Sequence, residues 1–289
     1  MLIGAHALVF TGTFDAAGLQ RAIDGTAGAG FDLLEIPLME PESFDSGLAA
    51  RLLADSGLQV TASLGLTEAT DLSSEDPAIV AAGEQTLERC LDHVAAMGGE
   101  VLCGVIYSAM RKYPAPATAL GVGHSQEALA RLAERAAERG IRLSLEVVNR
   151  YESNVFNTAG EGLRFLGGVG AGDVSLHLDT YHMNIEEADL GRAVAETGDH
   201  LGYVHIGESH RGYLGTGSVD FPAFFRALAV SGYDGPVVFE SFSSAVVSPS
   251  LSNTLAIWRN LWDDPDHLAA HANAFIREGL QAAHGGSSS

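Results

Sequence analysis

Eight short apolar runs recur along the chain: Leu2–Phe10, Phe31–Ile36, Gln59–Leu64, Val101–Ile106, Ile141–Val147, Val174–Leu178, Leu201–Ile206 and Pro236–Phe239. Their starts fall roughly thirty to forty residues apart, the length of a βα unit. Stretches of helical period lie between them. Val80, Leu87, Leu91 and Val94 share one helical face, ended by Gly98-Gly99. Leu129, Leu132, Ala133 and Ala136 form another, with Ser125 as candidate N-cap and Gly140 as the stop. Asp220 caps a third that carries Phe224, Phe225 and Leu228 and stops at Gly232.

Strands that are apolar throughout, each followed by a helix, predict a parallel sheet covered on both faces. Eight such units predict an α/β fold of the closed (β/α)₈ barrel type. A doubly wound open sheet is the alternative, weakened because no G-x-G-x-x-G follows the first run. The residues after Ser250 read as two more helical segments packed across the barrel's outside or bottom. Ile257, Trp258, Leu261 and Trp262 sit on one of them. With no linker or low-complexity tract, the expected organisation is one domain over residues 1–284 and a flexible tail over 285–289.

Bulk properties narrow the function. A chain of 289 residues with 46% apolar content buries a full core. Its net charge of −21 argues against a nucleic-acid partner and against an anionic membrane surface. Cys90 and Cys103 lie in apolar contexts and read as buried, reduced thiols. The first residues carry no basic signal region, and no apolar run reaches about 18 residues. Those features point to a cytoplasmic protein.

The chemistry collects where the last four apolar runs end. Leu-Ser-Leu-Glu146, Leu-His-Leu-Asp179, Tyr-Val-His205 and Val-Val-Phe-Glu240 each place a strong ligand type at a strand's C-terminal end. In a barrel these ends surround one axis, so the four residues converge. Two Glu, one Asp and one His make an oxygen-rich site suited to Mn²⁺, Mg²⁺ or Co²⁺. Each residue taken alone is as well explained as a polar group facing water. Glu152, His182 and Arg211 are second candidates, Arg211 in a glycine-rich loop that weakly suggests a phosphate cradle. His177 is expected to point away from the mouth, and His210 to be a solvated loop residue.

Four segments together carry a resemblance: Ser144-Leu-Glu-Val-Val-Asn-Arg-Tyr-Glu152, His177-Leu-Asp-Thr-Tyr-His-Met-Asn184, Val204-His-Ile-Gly-Glu-Ser-His-Arg211 and Phe239-Glu240. The chain resembles the ketose 3-epimerases of the xylose-isomerase-like sugar isomerase/epimerase superfamily, and among them the actinobacterial D-allulose 3-epimerase branch. The resemblance implies Glu146, Asp179, His205 and Glu240 as metal ligands, and Glu152, His182 and Arg211 at the O1–O3 end of the sugar. At the far end, where relatives often carry aromatic residues, His6, Ser63, Gly104 and Met110 are the expected contacts. Phe14 and Met110 are the expected apolar wall. The resemblance also implies a homodimer or homotetramer acting on small-molecule ketoses.

Such a reaction removes the C3 proton of a ketose and returns it on the other face, with Glu146 and Glu240 as the acid/base pair. D-Fructose and D-allulose are the leading pair, L-ribulose and D-tagatose further candidates. An aldose–ketose or hydroxypyruvate isomerase would use similar residues, and a non-catalytic sugar-binding barrel is a reading from a different class. A DNA-repair endonuclease of the superfamily would need more zinc-binding histidines and a basic groove.

Overall fold

The computed structural model describes residues 1–170 and 173–286. Eight parallel strands close into a barrel in sequence order. They are β1 (Ile3–His6), β2 (Leu33–Pro37), β3 (Gln59–Ser63), β4 (Val101–Gly104), β5 (Arg142–Val147), β6 (Val174–Asp179), β7 (Leu201–Ile206) and β8 (Val237–Phe239). The eight runs read from the sequence all become strands, and the open-sheet alternative is excluded. Leu2–Phe10 is shorter as a strand than as an apolar run. Its second half turns into a 3₁₀ helix over Ala7–Val9, where His6 Nδ1 accepts the Leu8 N–H at 3.2 Å.

The helices begin at acidic or hydroxyl caps that take up free N–H groups. Asp15 caps α1 (Ala16–Gly28), Asp45 caps α2 (Ser46–Leu53), and Asp76 caps α3 (Pro77–Met97). Thr118 caps α4 (Ala119–Glu138), about two turns before Ser125. Ser125 lies inside that helix and is buried, its hydroxyl donating to the Tyr107 carbonyl at 2.6 Å. Thr158 precedes α5 (Ala159–Val169), and a short α6 (Thr180–Glu186) follows β6 directly, ahead of α7 (Leu190–Thr197) with its Asp189 cap. The chain therefore becomes helical at Thr180, directly after the strand end that carries Asp179. Asp220 caps α8 (Phe221–Ser231), which stops at Gly232 with φ 72°.

Two C-terminal helices follow, α9 (Pro249–Thr254) and α10 (Pro265–Gly286). α10 packs on the outside against α1 and α8. α9 instead lies over the barrel mouth, where Leu251 and Leu255 help line a cavity. The segment expected to be helical around Ile257–Trp262 is irregular. Trp262 is buried and anchored by an Nε1–H bond to Ser241 Oγ at 2.9 Å, whereas Trp258 is 73% exposed. Residues 287–289 of the expected tail lie outside the described residues. Among those described, no helix is long and apolar enough to cross a membrane.

Two cores result. The large one fills the space between strands and helices, and a small plug of Leu33, Val101, Cys103, Tyr203 and Val238 fills the barrel itself. Gly4 makes room for the plug, since a Cβ there would stand 2.5 Å from Leu33 Cδ2.

Candidate active site

Strand alternation selects what faces the barrel axis. On β5 Leu143 and Leu145 pack outward, so Ser144 and Glu146 face inward; on β6 Leu176 and Leu178 pack outward, so His177 and Asp179 face inward. On β8 Val237 and Phe239 pack outward and Val238 inward, which brings Glu240 in as the next residue. β7 would fail this test on period alone, because Leu201 packs outward and His205 is an even number of residues away. A bulge corrects the phase: Leu176 pairs with Leu201, but His177 pairs with Tyr203, leaving Gly202 as the extra residue. A Cβ at Gly202 would lie 1.9 Å from Ser175 Oγ, so the bulge depends on glycine. Tyr203 and His205 then point inward, with His205 beside Asp179 in register.

Glu146, Asp179, His205 and Glu240 offer four buried ligand atoms that all lie within 4.8 Å of one another. His205 Nδ1 is 3.5 Å from Glu240 Oε1 and 3.8 Å from Glu146 Oε1 and has no hydrogen-bond partner. Ligand bonds of about 2.1 Å put neighbouring ligand atoms about 3–4 Å apart, so the spacing fits a divalent cation. Charge points the same way. Burial pushes the Glu146 carboxyl well up, and Glu240 and Asp179 push further, opposed by His205. A cation among three carboxylates removes the penalty of crowding like charges out of water.

Beneath this cluster lies a group that the sequence reading missed. Glu35, on β2, is fully buried and accepts from His205 Nε2 at 2.7 Å and from the Tyr203 hydroxyl at 2.8 Å. The Tyr203 oxygen in turn accepts from Thr61 Oγ1 at 2.7 Å. Although burial opposes its charge, the nearby His205 and His6 hold the Glu35 carboxyl well below the usual range. A carboxylate inside Leu-Leu-Glu-Ile-Pro was the available signal, since a charge in an apolar run needs a partner.

His177, expected to point away from the mouth, faces the barrel interior. It lies inside, one layer below Asp179, with its ring centroid 4.1 Å from that of His205. Burial holds it well below the ordinary imidazole value, so it is a neutral ring in the floor of the site. His210 is half-buried in the loop after β7, where its Nδ1 accepts the Gly212 N–H at 3.0 Å.

The second candidates surround the same point. Arg211 Nη1 donates to Glu240 Oε2 at 2.6 Å and to Asp179 Oδ2 at 3.1 Å, with its guanidinium 3.8 Å from the Tyr181 ring centroid. Its φ of 61° is costly for a non-glycine residue, by about 1–3 kcal/mol. Ser241 donates to the Arg211 carbonyl, and Arg211 N donates to the Glu208 carbonyl at 2.8 Å, fixing that backbone. His182 Nε2 sits 3.5 Å from Glu146 Oε1 and 3.7 Å from Asp179 Oδ2. Burial lowers its pKa to about 3, so the ring is neutral. Glu152 lies on the far side of His182, its carboxyl raised by burial.

One cavity unites these groups and opens at the barrel's C-terminal face. His6, Ser63, Gly104 and Met110 also line it, together with Leu8, Leu251 and Leu255, with His6 Nε2 3.5 Å from Glu35 Oε1 beside the cluster. Phe14 is not part of that wall; it packs behind it against the Leu8, Phe242 and Val247 cluster. Arg111 pairs with Glu68 at 2.6 Å and Lys112 lies 5.6 Å from the Tyr151 ring centroid, so both are engaged outside the cavity. The glycine-rich loop after β7 is no phosphate cradle: its N–H groups at Ser209, Gly215 and Val219 go to the Glu208 carboxylate.

A sequence model of the xylose isomerase-like TIM barrel family matches residues 23–278. The chain is 59% identical to the ketose 3-epimerase of Arthrobacter globiformis, covering 98% of each chain. It is 55% identical to the L-ribulose 3-epimerase of Methylomonas sp. strain DH-1, over 95% of this chain and 96% of that one. The crystal structure of the Methylomonas D-allulose 3-epimerase in complex with D-allulose superposes with a TM-score of 0.95 at 54% identity, covering 96% of both chains.

Proposed function

The chain belongs to the ketose 3-epimerases of the xylose isomerase-like TIM barrel family, carbohydrate epimerases of the isomerase class, and from that premise we propose that it interconverts free D-fructose and D-allulose. L-Ribulose and D-tagatose are further substrates of the same site. The observation that carries this reading is the meeting of Glu146 and Glu240 with Asp179 and His205 in one cluster.

In this reading Glu146, Asp179, His205 and Glu240 hold a divalent cation, Mn²⁺, Mg²⁺ or Co²⁺. Bound there, such a cation would supply Lewis-acid polarisation of the ketose carbonyl. Glu146 lies on β5 and Glu240 directly follows β8, three strands apart around the ring, so a sugar between them presents opposite faces of C3 to the two carboxylates. One takes the C3 proton and the other returns a proton to the opposite face. The configuration of the substrate decides which carboxylate acts first. His182 and Arg211 orient O1 and O2, and Glu152 accepts from a sugar hydroxyl. Leu251 of α9 and Leu255 just after it add apolar surface to the cavity wall.

A free sugar is favoured over a phosphorylated one because the cavity's far end offers mainly Leu8, Met110, Leu251 and Leu255. A phosphate would want several N–H donors and a cation. Incubating the metal-loaded protein with D-fructose and, separately, fructose 6-phosphate tests the reading by product identity. D-Allulose from the free sugar supports it; an aldose product, or a clear preference for the phosphate ester, refutes it.

The same proposal places the enzyme in the cytoplasm as a homodimer or homotetramer. Free, buried Cys90 and Cys103 suit a reducing compartment. Exposed Trp258 and Tyr151 suit a surface covered by a second copy. Light scattering that finds a monomer at micromolar concentration refutes the oligomer.

A further inference from the structure

Asn149, in the loop after β5, touches none of the four cluster residues, yet its contacts constrain two of the groups around them. It is 2% exposed. Its backbone N–H points at His182 Nδ1 at 3.2 Å, and its side-chain Nδ2 at the same atom at 2.7 Å. The second Nδ2 proton goes to Glu152 Oε1 at 3.0 Å. Its Oδ1 accepts the Tyr151 backbone N–H at 2.9 Å.

These contacts fix the His182 tautomer and the Asn149 amide orientation. A backbone N–H only donates, so His182 Nδ1 is an acceptor and the ring proton of the neutral imidazole is on Nε2. The amide cannot be flipped, because Oδ1 would then face the Glu152 carboxylate and NH₂ would face the Tyr151 N–H. We propose that Asn149 is a positioning residue that locks His182 as an Nε2–H donor into the cavity and holds Glu152 beside it. His182 is thereby barred from accepting a proton from substrate through Nδ1 or Nε2, which leaves proton transfer at carbon to carboxylates. Its Nε2 lies 3.5 Å from Glu146 Oε1, and its N–H is free to donate to a sugar oxygen in the cavity.

The kinetic part of this inference rests on the epimerase reading; the tautomer does not. The test therefore has two arms on the Mg²⁺-loaded protein. In the first, ¹⁵N-histidine labelling reads the ring, with His182 assigned by comparison with His182→Gln. A protonated Nε2 and bare Nδ1 across neutral pH are expected, and a proton on Nδ1 overturns the assignment even if no ketose reacts. In the second, Asn149→Asp and Asn149→Ala are assayed with D-fructose. Both should lower kcat/KM by about a hundredfold, with KM raised as well as kcat reduced. Asn149→Asp should also move ring proton density to Nδ1. Mg²⁺ affinity should stay within about twofold of the parent, since Asn149 contacts no cluster residue. If either folded variant keeps kcat/KM within about twofold, the positioning role is wrong. If Asn149→Asp does not fold, the parent's ring spectrum and Asn149→Ala decide.

Discussion

Glu35 takes the Nε2–H of His205 at 2.7 Å from inside the barrel, and so turns His205 Nδ1 toward Glu146 and Glu240. The carboxylate fixes both the tautomer and the ring orientation, as partners of metal-bound imidazoles commonly do. Glu35→Gln keeps the shape but removes the charge. It should weaken Mn²⁺ binding by about tenfold, measured by calorimetric titration. Unchanged affinity would show that His205 needs no such support.

Cation removal should have two separate effects. Chelation should abolish turnover, and Mn²⁺, Co²⁺ or Mg²⁺ should restore it. The thermal midpoint should also rise with cation concentration, because a ligand of the folded state alone stabilises by about 2.7 kcal/mol at a hundred times its Kd. Full activity in verified metal-free protein contradicts the assignment of Glu146, Asp179, His205 and Glu240 as ligands.

The two proposed proton-transfer groups should be more sensitive than their neighbours. Glu146→Gln and Glu240→Gln should each lower kcat by about 10²–10⁴-fold in a folded protein. His182→Ala and Arg211→Ala should cost less and act partly through KM, since neither moves a proton at carbon. A near-normal rate in Glu240→Gln would leave the two-carboxylate scheme without its second member.

The thiols provide a check remote from catalysis. Burial pushes Cys90 up to about 12 and Cys103 well above its ordinary value, with Arg89 slightly opposing it at the first and Glu35 adding to it at the second. The reactive thiolate is therefore scarce at mildly alkaline pH. Native protein should resist iodoacetamide there while denatured protein takes up label at both sites by mass spectrometry. Rapid labelling of either cysteine in native protein would contradict the packing described.

The strands were legible because apolar runs of strand length recur between helical stretches, and burial on both faces demands that pattern. Three of the four cluster residues follow from inward alternation on β5, β6 and β8. His205 does not, since period two from Leu201 turns it outward, and only the bulge at Gly202 brings it in. No local signal in Leu-Gly-Tyr-Val-His announces a bulge that exists to accommodate Ser175 on the neighbouring strand. Glu35 and His177 escaped for a related reason: their partners come from strands distant in sequence. α9 was misplaced because an amphipathic segment does not say which apolar surface it will cover, and here that surface is the cavity mouth.

The central claim is removal and return of a proton at C3 between two carboxylates. D-Fructose incubated in D₂O with the metal-loaded protein tests it directly, with products separated and deuterium located by NMR. One deuterium at C3 of D-allulose is predicted, together with slower appearance of deuterium at C3 of recovered D-fructose. D-Allulose formed without deuterium at C3, or label confined to C1 with an aldose as product, would contradict it.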